Sequence, residues 1–309
     1  MKKAIVTGAT GMLGWNLIEY LLEQEMEILA IVNPNSTRKD RVPTHRLVRV
    51  IECDLDNLDS ICVNEKYDAF FHLGWKGTHG EQREDLFLQE NNVRIALNAV
   101  ELAAKAGCSV FVGAGSQAEY GSNYHVKLTG DLPANPETGY GIGKYVAGIM
   151  TRKRCSQLGI RHEWVRILSV YGPGDGRHTM VMSGIIKLLA AETPAYTKAE
   201  QQWDYLYVKD AVEAISLIAK KGVNGKVYCL GSGQTRELRE YIYAIRNAID
   251  SSLQIDIGQL PYPQNQVMYL CADISELCND TGFQVKTSFE DGIKETINWI
   301  REKDSYEEN

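Results

Sequence analysis

The 309-residue sequence lacks the charge pattern and the apolar segments of several protein classes. Acidic residues outnumber basic ones, 40 to 33, which gives a formal net charge of −7. The densest basic run, RKDR at 38–41, is too short to follow a phosphate backbone. No apolar run approaches the roughly 20 residues that a membrane helix needs. The sequence therefore argues against nucleic acid and against a membrane as partners.

Cysteine and histidine patterns indicate neither a disulfide framework nor a metal site. The seven cysteines are odd in number and scattered, and no two of them form a CxxC pair. Such usage is typical of reduced thiols in the cytoplasm. The six histidines show no zinc-ligand spacing. We expect a soluble cytoplasmic protein without a metal ion.

Short apolar runs alternate with longer helical patterns over the first half of the chain. The run KAIVTG at 3–8, for example, precedes MLGWNLIEYLLEQ, whose apolar residues have helical spacing. This alternation predicts an α/β fold with a doubly wound parallel sheet of the Rossmann type. The predicted strands are 3–8, 27–33, 47–55, 68–75, 108–116 and 162–170, and long helices are predicted over 84–106 and 139–158.

The pattern changes after Tyr171, where YGPGDGRH is rich in turn residues. Helices near 179–192, 209–221, 237–249 and 288–303 follow, with short strands near 204–208 and 226–231. We expect residues 1–170 to form a dinucleotide-binding domain whose sheet is completed by the strand near 226–231. Residues 171–309 should form a smaller, mostly substrate-binding α/β region over the C-terminal strand ends. Only the last residues, 304–309, are expected to be disordered.

Three glycines lie between the first predicted strand and the first predicted helix. Gly8 suits a tight turn, Gly11 lets the backbone approach a pyrophosphate, and Gly14 allows close packing of helix on sheet. The amides of Met12 and Leu13 would then face the phosphates at the helix N-terminus. This arrangement predicts dinucleotide binding.

The residues after the second strand bear on the type of dinucleotide. An acidic residue at this point accepts hydrogen bonds from the ribose and favours NAD. Asn33 stands there instead, and the cations Arg38, Lys39 and Arg41 follow. Cations attract a 2′-phosphate, so we favour NADP, although NAD stays possible.

Further cofactor contacts are expected after the third and fourth strands. Asp54 could accept a hydrogen bond from the adenine amino group, or it could be a plain loop residue. Leu55 beside it, and Leu73 and Gly74 near the end of the fourth strand, are the other candidates.

Tyr140 and Lys144 are spaced one helical turn apart, so both side chains face the same way. An ammonium beside a phenol lowers the pKa of the phenol from about 10 toward the working pH. Such a tyrosine can exchange a proton with a carbonyl or alcohol oxygen while a hydride moves to or from nicotinamide. Ser116, at the end of the fifth strand, could hydrogen-bond the same oxygen.

In this order the residues resemble the extended short-chain dehydrogenases/reductases. The matching features are Gly8, Gly11 and Gly14, Asp54, ENNV with Asn92, Ser116 four residues before YG, Tyr140 and Lys144, VRILSVYGPGD, and ADISELCNDTGFQVKTSFEDGI near the C-terminus. The resemblance implies a Ser-Tyr-Lys catalytic trio, a nucleotide-sugar substrate, and a homodimer through the helices near 90–106 and 140–157. It also implies that Asn92 steadies the site by bonding backbone.

One departure from the family concerns the reaction. Members that dehydrate a hexose have an adjacent acidic pair directly after the serine, to protonate the leaving hydroxyl and to take a proton from carbon. Here Gln117 and Ala118 occupy those positions, and Glu119 stands one place late. The sequence therefore disfavours dehydration, and Gln117 becomes a candidate for contact with substrate.

Other departures concern the substrate. Trp203 replaces an arginine that the family uses on the substrate diphosphate; it could stack on a base or sugar, or fill the core. Ser169 stands where many relatives have an asparagine. Arg177, Lys187 or Arg236 could supply the missing charge, or each could be a surface residue. Trp75, Thr78 and His79 should lie near the nicotinamide end, where they could contact substrate or form a loop with a buried tryptophan.

These features predict an NADP-dependent oxidoreductase that reduces the 4-keto group of a nucleotide-linked deoxysugar for surface polysaccharide. Tyr140 would be the general acid/base, Lys144 would lower its pKa and hold the ribose, and Ser116 would orient the oxygen. The first alternative is an NAD-dependent nucleotide-sugar 4-epimerase with the same trio. The second is a non-catalytic cofactor-binding regulator, which the intact trio disfavours.

Overall fold

One sheet of seven parallel strands organises the computed structural model, which describes residues 1–122, 125–263 and 266–307. Its strand order is β11-β6-β5-β4-β1-β2-β3. After β3 the chain crosses back to the other side of β1, where β4 and the later strands are added. The strands are β1 (Lys3–Thr7), β2 (Glu27–Val32), β3 (Val48–Glu52), β4 (Ala69–His72), β5 (Val110–Ser116), β6 (Arg161–Ile167), β7 (Ser169–Tyr171), β8 (Ala195–Tyr196), β9 (Gln202–Trp203), β10 (Tyr205–Tyr207), β11 (Val227–Leu230), β12 (Arg236–Glu237) and β13 (Asp256–Ile257).

Helices cover both faces of the sheet, α1 beside α5 and α2 beside α3. The helices are α1 (Met12–Glu23), α2 (Leu86–Lys105), α3 (Gly139–Leu158), α4 (Met180–Leu189), α5 (Val208–Lys221), α6 (Leu238–Ile249), α7 (Ser275–Thr281) and α8 (Phe289–Glu307). Short 3-10 turns lie at Lys39–Arg41, Leu55–Ser60, Gly80–Arg83 and Gln117–Glu119. This confirms the predicted doubly wound α/β fold.

The apolar runs of the sequence became central strands because both of their faces are covered. Neighbouring residues of one strand, such as Ile5 and Val6 or Phe70 and Phe71, belong to different buried clusters. Alternate side chains of a strand point to opposite faces, so each strand supplies a core to both helical layers. Val6 pairs in register with Ala30 on β2 and with Phe71 on β4.

Short strand pairs and helices build the remainder beyond the sheet. β7 pairs with β10 in parallel, β9 with β12 antiparallel, and β8 with β13 in parallel. Helix α6 packs against α4 and α8. An aromatic cluster joins these pieces; its rings are Tyr171, Tyr205, Tyr241 and Phe289.

Three sequence expectations differ from the structure. The strand expected over 162–170 is split at Leu168, because Leu168 bonds Leu230 while β7 turns to pair with β10. Helix α7 was not predicted. The expected disordered end is helical as far as Glu307, and residues 308–309 lie outside the described ones.

The division at residue 171 into a cofactor-binding and a substrate-binding part stays a prediction.

All seven cysteines have free thiols. Among the residues that the structure describes, no group of side chains could hold a metal ion, and no helix is both long and apolar enough to span a bilayer.

Candidate active site

The glycine turn between β1 and α1 is packed too closely for side chains. Gly8 has a φ of +70°, and a Cβ there would lie 2.7 Å from the backbone nitrogen of Gly74. A Cβ on Gly14 would lie 2.1 Å from the Gly8 carbonyl oxygen. Helix α1 begins at Met12 with neither a side-chain cap nor an acidic residue in its first turn. Its N-terminal amides, those of Met12 and Leu13 included, therefore form a positive, uncapped end suited to an anion.

The loop after β2 folds back over this turn. Ser36 Oγ donates to Thr10 Oγ1 at 3.1 Å, and the amide of Arg38 donates to Ser36 Oγ at 3.2 Å. Asn33 uses its oxygen to accept from the Asn35 amide at 2.8 Å. The loop thus holds an exposed Arg38 close to the glycine turn, with no carboxylate in the position of Asn33.

Asp54 belongs to a small charged network after β3. Lys76 donates to it at 2.7 Å and to Asp56 at 2.7 Å, and Asn33 Nδ2 donates to it at 3.3 Å. Burial opposes the charge of Asp54, but hydrogen bonds from the Asp56 amide and from Lys76 outweigh it and lower its pKa. The sequence pointed to Lys76's neighbours but not to Lys76, because the pairing of loops after β3 and β4 has no local signature.

Leu55, Leu73 and Gly74 line the approach of these loops to the glycine turn. A Cβ on Gly74 would lie 2.9 Å from the Leu55 side chain and 3.2 Å from the Gly8 nitrogen. Asn92 on α2 fixes the same loop through its side chain. Its Nδ2 donates to the Lys76 carbonyl oxygen at 2.8 Å, and its Oδ1 accepts from the Lys76 backbone amide at 3.0 Å.

Ser116 and Tyr140 meet at the C-terminal end of β5. Ser116 ends the strand, and Tyr140 lies in the first turn of α3, whose N-cap Thr138 accepts from the Gly141 amide at 3.0 Å. Burial raises the pKa of Tyr140, whereas its hydrogen bond with Ser116 and the Arg83 guanidinium, 4.4 Å from the ring centroid, act in the opposite direction. Arg83 was not singled out from the sequence, because it comes from a 3-10 turn before α2.

Lys144 is buried on the same side of α3, with 4 % of its surface exposed. Its Nζ donates to the Ala114 carbonyl oxygen at 2.7 Å, and it lies 3.9 Å from the centroid of the Trp75 ring and 5.8 Å from that of Tyr140. Burial lowers the pKa of Lys144 to about 7, although the charge of Glu119 acts to raise it.

Glu119 is turned into the protein. It accepts from the Ser116 amide at 2.8 Å, from Trp164 Nε1 at 2.9 Å and from Arg166 Nε at 2.8 Å. It is not among the residues that line the cleft beside Tyr140. Glu119, which stands one place after the family's acidic pair, is therefore the partner of a buried arginine and does not face the cleft.

A cleft of about 520 Å³ opens beside Ser116 and Tyr140. Gln117 lines it, and its Oε1 is buried without a hydrogen-bond partner among the described residues. The other lining residues are Arg83, Glu84, Ala118, Gly121, Ser122, Leu128, Glu137, Thr138, Ile167, Leu168, Val267, Tyr269 and Leu270. Polar groups and an apolar wall thus face each other across this space.

The remaining substrate candidates do not line this cleft. Trp203 Nε1 donates to Ser169 Oγ at 2.8 Å, so these two departures from the family contact each other. Arg177 is exposed. Trp75 lies beside Lys144 instead. Arg236 forms an ion pair with Glu290, which occupies its charge.

The fold, the glycine turn and the side chains at the end of β5 define an α/β protein of the Rossmann class. The model of the NAD dependent epimerase/dehydratase family matches residues 4–231. The chain belongs to this family of NAD(P)-dependent enzymes, which is the extended short-chain dehydrogenase/reductase type that the sequence resembles.

Individual relatives are distant but match over the full length. The chain is 27 % identical to an ADP-L-glycero-D-manno-heptose-6-epimerase of Nitratidesulfovibrio vulgaris, over 95 % of this chain and 96 % of that one. It superimposes on the UDP-N-acetylglucosamine 4-epimerase of Methanobrevibacter ruminantium M1, solved with UDP-N-acetylmuramic acid, with a TM-score of 0.89 at 23 % identity, covering 98 % and 99 % of the chains. The UDP-glucuronic acid 4-epimerase of Bacillus cereus, solved with NAD, gives 0.84 at 19 % identity, covering 97 % and 99 %.

Proposed function

We propose that the protein binds a nicotinamide dinucleotide across the glycine turn. The fit rests on two observations: Gly8 and Gly14 leave a cradle that a Cβ would fill, and α1 begins without a cap. The uncapped amides would hold the pyrophosphate, and Asp54 would accept from the adenine amino group. Lys144 would leave the Ala114 carbonyl oxygen to hold the nicotinamide ribose.

We further propose that the enzyme transfers a hydride to or from the C4 position of a nucleotide-linked sugar. The single observation behind this proposal is the meeting of Ser116 and Tyr140 at the cleft, with Lys144 on the same side of α3. The bound nicotinamide would supply or accept the hydride. Tyr140 would exchange the proton of the sugar oxygen, Ser116 would hold that oxygen by a hydrogen bond, and the Lys144 ammonium would favour the phenolate.

Reduction with NADPH is our first choice of reaction. The position of Asn33 offers no carboxylate to the ribose hydroxyls, and its side-chain oxygen already accepts from Asn35. The exposed Arg38, held near Thr10 through Ser36, could pair with a 2′-phosphate. The turned-in Glu119 argues against dehydration, because it cannot act as an acid in the cleft.

Epimerisation at C4 is the second candidate, and the relatives favour it. The two superimposed proteins are named as 4-epimerases, and the heptose enzyme is named as a 6-epimerase. An epimerase oxidises and re-reduces one carbon, so its cofactor must stay bound between the two steps. NAD that stays bound through purification would therefore indicate an epimerase.

One experiment separates the two candidates. The purified protein is denatured, the released nicotinamide is identified, and the stripped protein is titrated with NADPH and NADH. Stoichiometric NAD would support the epimerase and would direct assays to UDP-hexose pairs. A site that takes up NADPH reversibly, at least tenfold more tightly than NADH, would support the reductase, which would then be assayed with 4-keto-6-deoxy nucleotide sugars.

We also propose that the enzyme is a homodimer through α2 and α3. Phe87 is 88 % exposed, Leu86 62 % and Ile142 43 %. Beside them lies a groove of about 480 Å³, with Val93, Leu97, Val146 and Met150 among its lining residues. Exposed apolar surface of this kind marks an interface. Sedimentation should show a dimer that Ile142→Asp dissociates; a monomeric wild-type protein would contradict the proposal.

A further inference from the structure

Trp75 is held rigidly against α3 by polar contacts at its edge. The indole Nε1 donates to Gln89 Oε1 at 2.8 Å, and the buried Gln89 amide donates to the Gly77 and Gln82 carbonyl oxygens at 3.0 and 2.8 Å. A Cβ on Gly143 would stand 3.4 Å from the Trp75 ring, so the ring packs directly against α3 at this glycine. The orientation of the ring is therefore set by α2 and α3 together.

The face of this ring lies against the Lys144 ammonium. The distance from Nζ to the ring centroid is 3.9 Å, and the Tyr140 ring meets Trp75 edge-on, at 6.2 Å and 86°. The negative face of an indole attracts a cation, most strongly where water is excluded. Trp75 thus contacts both side chains that the proposed reaction uses.

No carboxylate shares this position. The nearby Glu119 is already bound to Arg166, and no ion pair of Lys144 occurs among the described residues. His72 is buried, and burial lowers its pKa to about 3, so it is neutral. Tyr140 is an uncharged phenol, and Arg83 adds a second positive charge beside its ring.

We propose that Trp75 is a positioning residue that takes the place of a counter-ion and keeps the Lys144 ammonium charged beside Tyr140. This inference rests on the proposed function, which gives Lys144 and Tyr140 their roles. A ring face attracts the ammonium without accepting a hydrogen bond in line with an N–H. The three N–H groups thus stay available for oxygen acceptors, and the one that now bonds Ala114 could move to the cofactor ribose. A carboxylate at the same place would bind the ammonium more tightly and would compete with the ribose for its N–H groups.

The test replaces Trp75 with tryptophan analogues carrying one, two or three ring fluorines, introduced at this position alone in the full chain. Fluorine withdraws electron density from the ring face with little change in volume. The readout is the pH titration of Lys144, followed by NMR with ¹³Cε-labelled lysine and assigned by the signal lost in Lys144→Met. Because loss of a desolvated cation–π contact is worth about a tenfold change in proton affinity, the midpoint should fall stepwise, by about one pH unit over the series.

The same analogues at Trp203, whose indole bonds Ser169, form the matched control and should leave the midpoint unchanged. An unchanged or rising midpoint in the Trp75 series would overturn the inference, since a ring that only excludes water would give that result. The titration needs no turnover. If the midpoint falls as expected and neither hydride transfer nor cofactor binding can be detected, the proposed function fails while the contact of Trp75 with Lys144 stands.

Discussion

The buried ion pair between Glu119 and Arg166 allows a stability prediction with a defined size. Glu119→Gln keeps the shape of the side chain. Its carbonyl oxygen can still accept from the Ser116 amide and from Trp164, as Oε1 does now. Its NH₂ group, however, would replace Oε2 and face the Arg166 guanidinium with a donor. The arginine would then remain buried without a counter-ion.

The magnitude follows from the burial of the pair, with side chains 5 % exposed for Arg166 and 1 % for Glu119. Leaving one charge of such a pair unbalanced costs about 3–5 kcal/mol. Because two of the three hydrogen bonds of Glu119 survive, we expect the lower end, about 3 kcal/mol. Arg166→Met alone should cost a similar amount. The double variant should regain about 2 kcal/mol relative to the sum of the two single changes, since no unpaired charge remains.

Urea unfolding monitored by circular dichroism measures these free energies of unfolding, provided the slopes agree among variants. The pair formed by Arg154 and Glu101 supplies the matched control, because both side chains are 38 % exposed. Glu101→Gln should cost about 0–1 kcal/mol. The reasoning would be refuted if Glu119→Gln cost no more than Glu101→Gln, or if the double variant showed no recovery.

Three further predictions concern the site. Tyr140→Phe, which removes only the hydroxyl, should lower turnover at least about 100-fold with unchanged cofactor affinity, as measured by steady-state kinetics and titration; a loss below tenfold would contradict its role. Burial lowers the pKa of Lys144 from 10.5 to about 7, so between these pH values the unfolded chain holds a proton that the folded chain has released. The free energy of unfolding, taken relative to Lys144→Met, should therefore rise with pH between about 7 and 10.5, by up to about 1.4 kcal/mol per pH unit. Urea unfolding measures this difference, and a fall with pH would disprove the prediction. Gly14→Ala, whose Cβ would stand 2.1 Å from the Gly8 oxygen, should lower the free energy of unfolding by about 2 kcal/mol or more and abolish dinucleotide binding. In Gly11→Ala the corresponding distance is 3.2 Å, so this variant should unfold at a higher temperature than Gly14→Ala.

Much of the fold followed from the sequence because the central strands are buried on both faces. Runs such as KAIVTG and CSVFVGAGS contain few polar residues, so their type and order were clear. Strand ends were less clear. The segment 162–170 contains no glycine or proline that would mark a break, and only the pairing of β7 with β10, set by residues 205–207, divides it at Leu168.

The candidate site was predictable where one strand end meets one helical turn, as for Ser116, Tyr140 and Lys144. It was not predictable where separate loops meet. Lys76 reaches Asp54 across 22 residues of chain, and Arg83 approaches Tyr140 from a 3-10 turn. Spacing within a sequence carries no information about such pairs, because tertiary packing brings them together.

The place of β11 in the sheet has a consequence for how the chain can be synthesised and divided. β11 pairs with β6, yet it follows β6 by 59 residues, from Ile167 to Val227, and those residues build β7 to β10 and two helices. During synthesis, the outer edge of β6 must wait with its amides and carbonyls unpaired until β11 emerges, and such an edge invites pairing with other chains. A fragment ending at residue 170 should therefore aggregate, whereas one extended past Leu230 should have β6 paired on both sides and aggregate less.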